Sequence, residues 1–161
     1  MATVKASQLF NGPVEIGLRA LMILAESHPG ALDLQRLVIL DYFSVHSADI
    51  DGGPPSLHPP GPLRAGEVSI RRGLLEDGLH LFATKGLVSR VVDVSGIRYR
   101  AEELAATFLD ALSSDYANSL RDRAKWAVDT AGSLSDDEAT ALLDRTIGRW
   151  KTEFVFDEIE E

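Results

Sequence analysis

The chain has 161 residues, 45% of them hydrophobic, a formal net charge of −9 and no cysteine. Its length suits one domain, or a domain with an extension, and its apolar fraction is enough for a core. The absence of thiols excludes disulfides, thiolate metal sites and a cysteine nucleophile. Charge is unevenly spread: residues 1–63 hold three basic and six acidic side chains (net −3), residues 64–100 seven and four (+3), and residues 101–161 six and fifteen (−9). Only the middle block suits phosphate, so a tight, free-standing DNA binder is disfavoured. The most apolar run, Ala20 to Ala25, lies between Arg19 and Glu26. It is far shorter than the roughly 18 residues of a membrane span. The first residues lack the apolar stretch and cleavage site of a signal peptide. A cytoplasmic protein without membrane contact is expected.

Asn11-Gly12-Pro13 reads as a helix start, with Asn11 as cap and Pro13 in the first turn. Val14, Leu18, Leu21 and Ala25 share one helical face, which Ile16, Ile23 and Leu24 widen, until His28-Pro29-Gly30 ends the helix. Asp33 can cap a second helix, Leu34 to Val45. A third helical pattern covers Glu67 to Lys85, with Val68, Leu75, Leu79 and Phe82 in one stripe and Ile70, Leu74 and Leu81 beside it. Gly73 and Gly78 within it predict close packing or a local break, and Gly86 a stop. Then the period changes: 87–93 and 97–100 read as strands joined by Val94-Ser95-Gly96. Three helices followed by a hairpin predict a winged-helix domain over residues 1–100. The chain is mainly α with a small β-hairpin, and residues 101–161 read as a helical extension. Leu104, Phe108, Leu109 and Leu112 form one apolar face there, and Tyr116, Leu120, Ala124 and Ala127 another. Ser135 and Glu138 suggest a capping box before a last helix carrying Leu142, Leu143, Ile147 and Trp150.

Between the second and third helices lies a proline-rich loop, residues 52–64, holding five of the seven prolines. Proline fixes φ and restricts the residue before it, so the run is stiff. Such a connector is longer than a compact domain needs. A docking surface explains it better than a spacer: preordered segments lose less entropy on association. Asp41, His46, Pro55, Ser56, Leu57, His58 and Arg64 are the expected partner contacts. At the C-terminus Trp150, Phe154 and Phe156 are further candidate anchors, although Trp126 and Trp150 are expected to pack the extension onto the domain.

Two other chemistries merit weighing. Asp41, His46, Asp49, Asp51 and His58 carry metal-ligand side chains, but no standard ligand spacing orders them. Polar residues at a helix end and turn explain them more simply. Arg71, Arg72, Arg90, Arg98 and Arg100 would lie on the third helix and the wing, as a nucleic-acid face requires. The competing explanation pairs Arg72 with Glu76 and leaves the wing arginines solvated or facing an acidic protein. Given the acidic total, weak or partner-assisted DNA contact ranks below protein contact and above specific DNA reading, and a winged-helix DNA-binding transcriptional regulator is the alternative function. Nucleophile elbow, phosphate loop and dinucleotide fingerprint are all absent, so no catalytic residue, metal or cofactor is assigned.

The strings Leu37-Val38-Ile39-Leu40-Asp41-Tyr42, His46-Ser47-Ala48-Asp49, Pro55-Ser56-Leu57-His58-Pro59, Pro62-Leu63-Arg64 and Arg71-Arg72 resemble the middle components of ABC-three-component systems. Arg121 to Trp126 and Arg149 to Phe154 extend the likeness over most of the chain. The Ser-Leu-His-Pro loop is its most distinctive element. The resemblance implies a non-enzymatic adaptor beside an SMC- or Rad50-like ABC ATPase and an effector protein, in Lamassu-like bacterial defence against phage and plasmids. The acidic helical block, for its part, suits a basic partner face or self-association as a homodimer.

Overall fold

A computed structural model describes residues 12–59 and 64–157, with side chains described over 12–59 and 66–148. Helix α1 (Pro13–Ser27) is capped by the Gly12 backbone and has proline at its start. The Asn11 cap expected from sequence lies outside the described residues. A two-residue strand β1 (Leu32–Asp33) leads directly into α2 (Leu34–Val45). The Asp33 carboxylate accepts from the Arg36 amide at 2.8 Å, the helix-start bond expected of it. A short 3₁₀ turn, Ser47–Asp49, follows, then α3 (Arg64–Thr84). Helix α3 begins three residues before the expected Glu67, so Arg64 opens the helix instead of closing the loop.

Strands β2 (Val88–Asp93) and β3 (Gly96–Ala101) form the expected hairpin. Strand β3 is central: it pairs antiparallel with β2 on one side and with β1 on the other. The chain then continues as α4 (Glu103–Asp110), α5 (Asp115–Ala131) and α6 (Asp136–Asp157). Ser114 caps α5 and Ser135 caps α6, each accepting an amide at 3.1 Å. The architecture is mainly helical with a small three-stranded antiparallel sheet. Among the described residues no helix is long and apolar enough to cross a membrane.

One apolar core runs through both halves of the chain. It joins Leu21 and Leu24 of α1, Leu37 and Leu40 of α2, and Leu75 and Leu79 of α3 to Leu109, Leu120, Ala124 and Leu143 of the later helices. Helix α5 packs on both α1 and α2, so α1 is covered on nearly every side. That is why Ile16, Met22 and Ile23 are buried together with the expected Leu21. Val14, expected on the core face, is instead 62% exposed. Leu104, 63% exposed, and Phe108 also face outward; α4 turns Ala105 and Leu109 inward instead.

The two helix glycines differ. At Gly78 a Cβ would stand 2.5 Å from the Pro13 carbonyl oxygen and 2.8 Å from Gly17 Cα, so α1 and α3 cross backbone to backbone there. Gly73 faces open space. Neither breaks the helix. Gly86 and Gly96 end α3 and the hairpin turn with positive φ, which a side chain would disfavour.

Candidate functional site

The charged residues of α1 and α2 sit where apolar side chains would be expected, and that placement dictates the centre of the molecule. Arg19 interrupts the apolar run of α1 and is 1% exposed; Asp41 interrupts that of α2 and is fully buried. A lone buried charge is costly, so each needs the other. Arg19 Nε donates to Asp41 Oδ1 at 2.7 Å and Arg19 Nη2 to Asp41 Oδ2 at 3.1 Å. Arg71 of α3 donates to Asp41 Oδ2 from the other side and to Glu67 Oε1 at 2.8 Å. Its guanidinium lies 5.8 Å from the Tyr42 ring centre, within cation–π range. Burial alone would push the Asp41 carboxyl up, but the two guanidiniums outweigh it and hold the group well below the carboxylate range.

The network continues into the loop and α5. His46 Nε2 is 2.9 Å from Glu67 Oε1. His58, in the proline-rich loop, is 2.7 Å from the Tyr116 hydroxyl, which donates to Glu15 Oε1 at 2.8 Å. A phenol has one proton to give, so His58 Nε2 is the donor to Tyr116. Burial, reinforced by the Arg19 charge, pushes the His58 imidazole down to about 4. Burial and the Glu15 carboxylate push the Tyr116 phenol up. Tyr42 separately donates to Asp49 at 2.7 Å.

Chemically this is a clamp: α1, α2 and α3 are joined by charges that neutralise one another, and the loop and α5 by the His58–Tyr116 hydrogen bond. Asp41, His46 and His58, expected as contacts for a partner, direct their side chains into this interior. Arg71, expected on a nucleic-acid face, is buried here as well. Sequence reasoning missed Arg19, Glu15 and Tyr116; a charged residue inside an apolar run in each of two successive helices is the signal that pairs Arg19 with Asp41. Among the described residues, no group of three or more His, Asp or Glu side chains is arranged to hold a metal ion.

The other loop residues form a fixed shelf. Ser47 Oγ donates to the Pro54 and Pro55 carbonyls at 2.9 and 3.2 Å. Ser56 Oγ accepts from the Ala48 amide at 3.0 Å, and the Leu57 and His58 amides both bond the Val45 carbonyl. From α5, Arg123 donates twice to the Pro55 carbonyl, at 3.1 and 2.9 Å. The outer surface shows Pro55 and Pro59, with Pro54, Ser56 and Leu57 half-buried. Residues 60–63 and the side chains of Arg64, Trp150, Phe154 and Phe156 lie outside the described residues. Trp126 is half-buried against the core, in the packing role expected for it.

The remaining arginines do not share one face. Arg72 donates to Gln35 Oε1 at 2.8 Å instead of pairing with Glu76. Strand alternation puts Arg90, opposite Tyr99, on the side of the hairpin that faces α3. Arg98 and Arg100, opposite Val91 and Ser89, take the other side, where Arg98 meets Ser95 at 2.5 Å and Asp93 at 3.5 Å.

No curated protein and no solved structure matches the chain. A family model does match, over residues 9–153, which takes in the buried clamp, the proline shelf and the hairpin alike. The chain belongs to the ABC-three component (ABC-3C) system Middle Component 2 family.

Proposed function

We propose that the protein is a non-enzymatic adaptor of a three-component defence system, linking an SMC-like ABC ATPase to an effector by protein contacts. The family membership supports an accessory role. The observation that carries the adaptor reading is the proline shelf. It is pinned from α2, the 3₁₀ turn and α5 by side-chain and backbone bonds, yet it leaves Pro55 and Pro59 on the surface. A surface held in one conformation before binding loses little entropy when a partner settles on it. Asp41 and His58 are taken up by ion pairs and hydrogen bonds inside the molecule, which supports the non-enzymatic reading. Cytoplasmic location and the Lamassu-like assignment go with this reading.

A winged-helix body underlies the proposal. The order α1, β1, α2, α3, β2, β3 with sheet order β1-β3-β2 supports it, and residues 101–161 are its helical extension. DNA contact, through Arg72, Arg90, Arg98 and Arg100, is the second reading, favoured by the exposure of Arg72, Arg90 and Arg100. Co-expression of the chain with the other two components, followed by mass measurement of the purified species, tests the adaptor role. A stoichiometric complex is expected. A chain that purifies alone and binds duplex DNA at nanomolar concentration in physiological salt would support the regulator instead.

A further inference from the structure

A groove of about 730 Å³ separates α3 from the hairpin and opens beside the first turn of α2. Its size falls within the range of natural binding sites. Leu79, Ile97 and Tyr99 give it an apolar wall, and Arg72, His80 and Arg90 stand along it. We propose that this groove is a second docking site, for a protein segment that presents an apolar side chain beside one or more carboxylates.

Three observations favour that occupant. Ile97 is 43% exposed on the groove wall, and Val92, its cross-strand partner on the same sheet face, widens the exposed apolar surface. Arg90 is exposed and makes no ion pair within the described residues, so a carboxylate is the counter-charge it can accept. Asp33 and Glu76 line the groove beside Arg72 and Arg90, and this mixed charge suits a few carboxylates next to an apolar side chain better than a continuous phosphate backbone. The groove starts at the N-terminal end of α2, whereas the proline shelf hangs from Val45 at its C-terminal end. Twelve helical residues place the two surfaces roughly 18 Å apart. An adaptor between two proteins needs that separation.

The inference rests on the adaptor reading, and its test keeps the two apart. The purified full-length chain, its Arg90→Glu and Ile97→Glu variants, and each of the other two system components are used in equilibrium binding measurements. Unchanged circular dichroism and melting temperature establish that the variants fold. Each variant is expected to weaken binding to one component about tenfold or more, as loss of an interface anchor does, and to leave the other component's binding intact. If wild type binds both components and neither variant changes either affinity, the groove proposal is overturned while the adaptor stands. If wild type binds neither component, the adaptor reading itself falls. Two further results would also overturn the groove proposal: loss of binding to a 30-base-pair duplex with component binding unchanged, and conversion of a wild-type dimer to monomer by the variants.

Discussion

Arg19 and Asp41 show how a pair of residues can decide the centre of a small protein. Removing the carboxylate by Asp41→Ala takes the buried counter-charge away from Arg19 and leaves Glu67 as the carboxylate beside Arg71. Such a loss costs about 3–5 kcal/mol, measurable as a fall in urea midpoint; an unchanged midpoint would mean the pair contributes nothing. The acid response follows from the same groups. Asp41 has a folded pKa below its unfolded value, so its contribution is full above the unfolded value and fades as pH falls beneath it. His58 is also depressed, from 6.5 to about 4. The unfolded chain therefore binds a proton that the folded chain refuses, and stability is lost as pH falls from about 6.5 toward 4. His58→Gln keeps a donor for Tyr116 but cannot titrate. Melting temperature between pH 7 and pH 5 is expected to fall less in that variant than in the wild type; parallel curves would remove His58 from the pH response.

Elements were far more legible in the sequence than the contacts between them. The apolar period marks α1, α2 and α3, and the change to alternation marks the hairpin, because these patterns are local. Strand β1 left no such mark: Leu32 and Asp33 become a strand only by pairing with Tyr99 and Arg98, far along the chain. For the same reason the outward side of Val14 and Leu104 was not readable, since elements distant in the chain decide which side of a helix is covered. Of the candidate site, the place of the proline-rich loop between α2 and α3 was legible and the inward turn of His58 was not. Its partner, Tyr116, lies 58 residues away. Two glycines in one helix also look alike in sequence yet predict opposite outcomes. Gly78→Ala forces the α1–α3 crossing apart and should destabilise by about 1–3 kcal/mol. Gly73→Ala meets open space and should stabilise by about 0.5–1 kcal/mol. Chemical denaturation of both variants checks the pair, and equal signs would contradict the packing. Arg36 acts between elements too. It donates to the Ala131, Gly132 and Leu134 carbonyls and to Asp136, closing the end of α5 from α2.

At the scale of the molecule, the acidic later helices are not an appendage: they complete the core, hold the proline shelf through Arg123 and hold His58 through Tyr116. The described part of the loop and the helices are therefore bonded into one body. The most direct measurement is the affinity of the full chain for the other two components, with the shelf altered at its exposed residues by Pro55→Glu and Pro59→Glu together. Both positions face solvent, so folding should persist. The account predicts binding to one component weakened about tenfold or more, with the chain's melting temperature unchanged. Undiminished affinity for both components would contradict it.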